Sequence, residues 1–322
     1  MTSIAGGVPG ARSSSHPAVS THPTLLQAHA PGTDPDPAHD YAPGTDPDPA
    51  QDYALGAGPG ESARLRRQSE ELRPEAEALL AGIGLEPGHA AIDLGCGPAG
   101  ILELLCRAVG SQGRVVGLDA DPAHVAMAAE HAARRGLANV EVLAADARHT
   151  RLPGGSFDLV HARTLLVTIP EPGGVLAEMV RLARPGGWVA SQEPDCELAL
   201  CYPPLNAWDR LLEIFWASFG RSGADPFIGR RLAELYRQGG LEEIEVMVHA
   251  SAYPAGHSRR TVIPDLVRSL HPVIVELGLA SERELAELDR AVREHLADPR
   301  TLVVPHLLVA VRGRKPSQAS AS

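Results

Sequence analysis

Lysine is almost missing from this 322-residue chain: Lys315 is the one lysine, and the formal net charge is −11. Nucleic-acid phosphates are held by clustered Lys and Arg, so a nucleic-acid partner is not expected. Cysteine is sparse as well. Cys96, Cys106, Cys196 and Cys201 form no C-x-x-C pair, and no histidine stands near them at zinc spacing. A metal site is therefore not expected, and free thiols in a reducing cytoplasm are the simplest account. No apolar run approaches the ~20 residues that span a bilayer, and no basic segment followed by an apolar block marks a secretory signal. Aromatic residues make up 4% of the chain against 44% for all hydrophobic residues. A core built from this composition consists mostly of Leu, Val, Ala and Ile, in one large or two modest domains.

Residues 1–52 are rich in Pro, Gly, Ser, Thr, Asp and His. APGTDPDPAHDY (Ala30–Tyr41) is followed directly by APGTDPDPAQDY (Ala42–Tyr53), with His39 against Gln51 as the single difference. Such a segment cannot bury enough apolar surface to offset its ordering entropy, so a disordered, duplicated tail is expected. The composition changes at Tyr53. Residues 53–314 read as the folded domain and 315–322 as a second disordered tail.

The domain is organised around Ala91-Ile92-Asp93-Leu94-Gly95-Cys96-Gly97-Pro98-Ala99-Gly100. Ala90–Leu94 reads as a short buried strand and Ala99–Val109 as a helix. Gly95 and Gly97 turn the chain between them, and Gly97 leaves room for a ligand. Gly95, Gly97 and Gly100 also spell G-x-G-x-x-G, a dinucleotide fingerprint. Asp93 argues against that reading, because a carboxylate here repels a pyrophosphate and attracts a cationic cofactor. D-x-G-C-G-x-x-G resembles motif I of the class I methyltransferases that use S-adenosylmethionine (SAM), whose sulfonium and α-ammonium are positive. NAD(P)-dependent oxidoreduction stays open as the weaker alternative. A SAM-binding relative without catalysis, acting as a regulatory or scaffolding subunit, stays open too.

The following segments alternate strand and helix. Arg114–Leu118 is the second strand, ending in Asp119, nineteen residues after Gly100 and close to the ~20 expected of a carboxylate that takes ribose hydroxyls. Ala120 follows it, and Asp121-Pro122 opens a helix to Arg135 with Val125, Ala128 and Ala132 inward. Val140–Ala144 is the third strand. The resemblance implies that Asp146 takes the exocyclic amino group of adenine and that the Ala147 N–H meets a ring nitrogen. Ser156–His161 is the fourth strand, Gly174–Arg184 a helix, and Arg184-Pro185-Gly186-Gly187 a turn into the fifth strand, Trp188–Gln192. Leu241–Val248 and Thr301–Val311 are the last strands, with Pro305 demanding an edge or a break. Helices are expected at Glu61–Leu72, Pro74–Ile83, Asn206–Phe219, Asp225–Gln238, Val262–Leu277 and Glu282–Ala297. The last carries a Ser281/Glu284 capping box. The pattern is α/β and doubly wound. The resemblance adds a seven-stranded Rossmann-like sheet in the order 3-2-1-4-5-7-6, its last strand antiparallel, with helices near 200–240 and 262–297 covering the substrate.

The cofactor set is thus Asp93, Gly95, Cys96, Gly97, Gly100, Asp119, Ala120, Asp146, Ala147 and His161, with Tyr53, Arg64 and Gln68 as candidates on a lid. In open α/β sheets ligands sit outside the carboxyl ends of the strands. His161, Glu193 and Asp195 are accordingly rival bases for removing a proton from an oxygen or nitrogen acceptor, His161 having the most suitable intrinsic pKa. Many members of the resembling family carry one or two histidines where this chain has Val167-Thr168. Arg163 and Arg230 are candidate clamps for a substrate carboxylate, and Trp208, Phe215, Trp216 and Phe219 a candidate pocket wall. The expectation is methyl transfer to a small organic molecule by a monomer or homodimer in the cytoplasm.

Overall fold

The computed structural model describes residues 59–317 except residue 222. The expected tail at 1–52, residues 318–322 of the expected tail at 315–322, and the lid candidate Tyr53 lie outside the described residues; Lys315 is described, and its N–H donates to Gly187 O at 2.9 Å.

Two helices, α1 (Pro59–Glu71) and α2 (Arg73–Ile83), precede the sheet. Pro74 falls in the first turn of α2, where its missing N–H costs nothing, and Gly84 ends the helix in the left-handed conformation. Then follow β1 (Ala90–Leu94), α3 (Leu102–Val109), β2 (Arg114–Asp119), α4 (Pro122–Arg134), β3 (Val140–Ala144), β4 (Phe157–Arg163), α5 (Gly173–Leu182) and β5 (Ala183–Asp195). After a short β6 (Leu200–Tyr202) come α6 (Asn206–Arg221), α7 (Leu232–Gln238) and β7 (Glu242–His249). Three helices, α8 (Val262–Ser269), α9 (His271–Glu276) and α10 (Glu282–Ala297), lead to β8 (Leu302–Val304) and β9 (Leu307–Arg314).

The seven-stranded sheet runs β3-β2-β1-β4-β5-β9-β7. Its first five strands pair in parallel, and β9 runs antiparallel to both β5 and β7. With β7 and β9 as the sixth and seventh strands of the sheet, this is the order 3-2-1-4-5-7-6. Central strands carry apolar residues on both faces, as a sheet covered on both sides requires: Ala91, Ile92, Leu94, Leu159, Val160 and Ala162 are fully buried. On one face Ala76, Leu79, Leu80 and Ile83 of α2 pack with α3. On the other, α5, α6 and the late helices form the larger core.

Several boundaries differ from the sequence reading. The helix after the glycine turn starts at Leu102 rather than Ala99, because Gly100 is held at φ +53°. In α4 the buried residues are His124, Ala128 and Ala132; Val125 is half-buried. Pro272 sits at the start of α9 and splits the expected Val262–Leu277 helix. Pro305 divides the last strand, and the piece before it, β8, pairs with β6 in a separate two-stranded sheet. The Arg184–Gly187 turn is an outpouching within β5, whose pairing jumps from Ala183 opposite Phe157 to Trp188 opposite Leu159. Ser281 caps α10 as expected, its hydroxyl accepting the Glu284 N–H at 3.2 Å. None of the described helices is long and apolar enough to cross a membrane.

Candidate cofactor site

A cavity of about 220 Å³ opens at the carboxyl ends of the strands. One side is made by the turns after β1, β2 and β3: Asp93, Gly95, Cys96, Gly97, Gly100, Asp119, Ala120, Asp121, His124, Asp146, Ala147 and Arg148. The other side is Arg163, Thr164, Leu165, Thr168 and Ile169 after β4, roofed by Leu65, Gln68 and Ser69 of α1.

Two carboxylates shape the glycine turn. Asp93 Oδ2 accepts the Ile101 N–H at 3.0 Å, at the start of α3, and Asp93 Oδ1 lies 2.8 Å from His161 Nδ1. Asp119 Oδ2 accepts the Gly97 N–H at 2.8 Å, and its Oδ1 accepts that of Asp121 at 3.0 Å. A Cβ on Gly100 would collide with Asp93 Oδ2, whereas one on Gly97 would meet only Leu65 Cδ1 at 3.9 Å. Gly100 is thus the close-packed glycine, and Gly97 faces open cavity. Asp146 Oδ1 accepts the Arg148 N–H at 2.8 Å, and the Arg148 guanidinium pairs with the carboxylate at 2.9 Å. These contacts outweigh partial burial and hold the Asp146 carboxyl below the usual carboxylate range. Burial, with Asp93 and Asp119 nearby, pushes the Cys96 thiol well up, so it lines the cavity as a small apolar group.

The turn amides decide between the two cofactors the glycine pattern allowed. A dinucleotide pyrophosphate is bound by glycine-turn amides and the N-terminus of the following helix. Here the Gly97 and Ile101 amides are already taken by carboxylates. A cationic cofactor with hydroxyls and an amino-bearing ring fits this acid-lined cavity; a diphosphate does not.

Not every expected residue comes to the cavity. His161 is fully buried in β4 behind the glycine turn, paired to Asp93, with Nε2 enclosed and unpartnered. It does not line the cavity, and the geometry gives it the task of fixing Asp93 rather than meeting an acceptor. Glu193 is also fully buried and spends its carboxylate on three backbone amides after β4. Asp195 forms a two-bond pair with Arg230, Nε to Oδ2 at 2.7 Å and Nη2 to Oδ1 at 2.8 Å. Arg230 also pairs with Glu197. Asp195 and Arg230 border a separate, apolar groove beside Val246, Val248 and Val309, so neither serves the cofactor cavity. Trp208, Phe215 and Phe219 are buried in the core, and Trp216 packs edge-on to Phe227 at 5.6 Å; none of the four lines the cavity.

Arg163 does reach it, but its guanidinium donates to Leu72 O at 3.3 Å and Ser69 Oγ at 2.8 Å, tying α1 down over the site. Burial lowers its pKa. Gln68 lies in the roof, its Nε2 donating to Thr164 Oγ1 at 3.0 Å and its Oε1 accepting from Arg64 at 2.7 Å. Leu65, His124 and the Thr164–Ile169 wall escaped the sequence reading. The sequence offered one signal for the wall: it follows a strand whose carboxyl end had to face the ligand.

Fold and cavity together define a class I methyltransferase architecture. A family model described as "Methyltransferase domain" matches residues 85–219. A trans-aconitate 2-methyltransferase from Methylobacterium radiotolerans is 32% identical over 63% of this chain and 76% of its own length. The chain belongs to the class I SAM-dependent methyltransferases. Nocamycin O-methyltransferase from Saccharothrix syringae is 40% identical over 43% of this chain and 48% of its own length. A 37.1 kDa protein encoded in a transposon of Streptomyces fradiae is 34% identical over 54% of this chain. The matches to these two span about half of their lengths. Among solved structures, the YcgJ protein of Bacillus subtilis superposes with a TM-score of 0.51 at 15% identity, over 75% of this chain and 98% of that one; it shares the fold.

Proposed function

We propose that this protein transfers the methyl group of SAM to an oxygen or nitrogen of a small organic acceptor. The observation that carries this reading is the double use of carboxylates, Asp93 on Ile101 N–H and Asp119 on Gly97 N–H, which closes the turn to phosphate. When bound, SAM supplies a methyl already activated by its sulfonium. In the proposed arrangement Asp119 receives the ribose hydroxyls, Asp146 and Ala147 the adenine, and Gly95, Cys96, Gly97, Gly100 and Ala120 the body of the cofactor. Gln68, Ser69 and Arg163 close over its amino-acid end.

The acceptor enters against Thr164, Leu165, Thr168 and Ile169. This wall is apolar with two hydroxyls, and among the described residues it holds no acid or histidine. Rate enhancement then comes from alignment, which can supply on the order of 7–11 kcal/mol, with no role as base for His161, Glu193 or Asp195. Relatives named for trans-aconitate and nocamycin methylation support a small-molecule acceptor. A reducing cytoplasm fits the four free thiols.

A screen with labelled SAM against panels of small acids, phenols and amines, alongside RNA and protein, tests the reading. Label in one small-molecule class is the expected result. Label in RNA or protein alone would overturn it.

A further inference from the structure

Glu193 has no place in the chemistry above, yet both of its carboxylate oxygens are engaged by backbone amides. It lies fully buried near the end of β5. Oε1 accepts the N–H groups of Leu165 and Leu166 at 3.1 and 3.0 Å, and Oε2 accepts that of Val167 at 3.1 Å. These amides open the single-turn 3₁₀ helix Leu166–Thr168, whose first N–H groups have no partner of their own within the turn. Charge-assisted bonds of this kind are among the stronger ones available to a backbone.

The segment so held is one the chain would not adopt unaided. Thr164 has φ +51° although it is not glycine, a conformation that persists when its surroundings enforce it. Its N–H donates to Gln192 O at 2.9 Å, and its hydroxyl accepts from Gln68 of the roof. Leu165 stands so close to the glycine turn that a Cβ on Gly95 would lie 2.7 Å from its Cδ1. On the far side, Val167 O accepts the Asp225 N–H at 3.2 Å. Thr164, Leu165, Thr168 and Ile169 are the cavity wall opposite the cofactor turns.

We infer that Glu193 is the positioning residue of the acceptor wall: its buried carboxylate gathers the Leu165, Leu166 and Val167 amides and thereby sets where Thr164, Leu165, Thr168 and Ile169 stand against a bound cofactor. The inference deepens the methyltransferase reading and rests on it for the identity of the wall. The hydrogen-bond geometry does not. Burial raises the Glu193 carboxyl to about 7, the three amides acting against the rise. The titratable side chain that senses its charge is Tyr236 of α7, itself buried and bonded to Ser191 Oγ at 2.7 Å. The Asp195–Arg230 pair is two residues further along the strand and is engaged with itself and with Glu197. An opening that frees the three amides while Glu193 stays buried removes what holds its pKa down, so a proton favours the opened wall, and the wall loosens as pH falls through about 7.

The test is hydrogen–deuterium exchange of the full chain, with and without S-adenosylhomocysteine, on wild type, Glu193→Gln and Glu193→Asp. Rates are corrected for intrinsic pH dependence and compared with a β2 peptide as internal control. In wild type, protection across 164–169 should fall at least threefold between pH 8 and pH 6 while β2 stays constant. In Glu193→Gln, whose amide NH₂ meets the Val167 N–H donor to donor, protection should already be at least tenfold lower at pH 8 and independent of pH. Glu193→Asp, which keeps the carboxylate, should retain the pH dependence. A wild-type profile flat across pH, or a Gln variant matching wild type at both pH values, would overturn the inference. The wild-type arm needs no variant to fold. S-adenosylhomocysteine binding to wild type separately tests the methyltransferase reading: loss of that binding with the exchange pattern intact would sink the reading and leave the clamp standing.

Discussion

The two sides of the cavity are built on different principles. On the cofactor side each acid keeps one partner close to home, Asp119 in Asp121 two residues on, Asp146 in Arg148 two residues on and Asp93 in Ile101 eight residues on, while Asp119 also reaches Gly97 22 residues back and Asp93 meets His161 68 residues on. On the acceptor side the wall is held from a distance. Glu193 reaches back 26 to 28 residues, and the Gln68–Thr164 bond spans 96. The cofactor side combines bonds within each turn with bonds between neighbouring strand ends. The acceptor side depends on how β4, β5 and α1 are packed. One chemistry can therefore keep its donor site while the wall that meets the acceptor varies with the rest of the fold.

The largest expected break falls on the cofactor side. Gly100→Ala forces a side chain into the left-handed region and onto Asp93 Oδ2. It should cost at least about 2 kcal/mol of stability and reduce S-adenosylhomocysteine affinity tenfold or more, read by thermal unfolding and calorimetry. An unchanged unfolding temperature would mean the turn is not as tightly packed as described.

On the acceptor side the expected signature is in pH. Glu193 has a folded pKa of about 7 against an ordinary 4.5. The folded chain thus holds a proton that the unfolded chain releases between those values. Stability from this group is fully present below pH ~4.5 and declines as pH rises through about 7, by at most about 1.4 kcal/mol per pH unit. Glu193→Gln removes that slope. Stability curves of the two proteins, measured by denaturant unfolding from pH 4.5 to 8, should therefore diverge in favour of the variant as pH rises. Parallel curves would contradict the burial of the carboxylate.

The smallest effect on binding is expected from a residue on neither side. Arg230→Ala strips Asp195 of its two-bond partner and should cost on the order of 1 kcal/mol, since the guanidinium is partly exposed. S-adenosylhomocysteine affinity should stay within about twofold of wild type. A larger loss would bring the Asp195–Arg230 pair back to the site.

The same contrast explains what could be read from the chain beforehand. The acids at the ends of β1 and β2 follow from strand–turn–helix spacing, and the sheet order and Asp146 after β3 from the resemblance that spacing carries, so they were legible. His161, Glu193 and Asp195 share a position at strand ends, and spacing alone cannot tell which of them faces ligand and which is consumed by the fold. The partners that consume them, Asp93, the Leu165–Val167 amides and Arg230, are brought up by tertiary packing. The aromatic residues of α6 were ambiguous for the same reason. A helix face rich in Trp and Phe looks alike whether it meets a ligand or a core, and here Trp208, Phe215 and Phe219 meet the core. The β6–β8 pair was invisible because its strands are three residues each and lie about 100 residues apart.

The central claim is that the glycine turn serves a cationic cofactor, and it is tested most directly by calorimetric titration of the full chain with S-adenosylhomocysteine and with NADH, on wild type and Asp119→Ala. Micromolar binding of S-adenosylhomocysteine, weakened at least tenfold in Asp119→Ala, with no binding of NADH, is the predicted result. Binding of NADH without S-adenosylhomocysteine would contradict the account at its root, because it would mean that the Gly97 and Ile101 amides yield to a pyrophosphate after all.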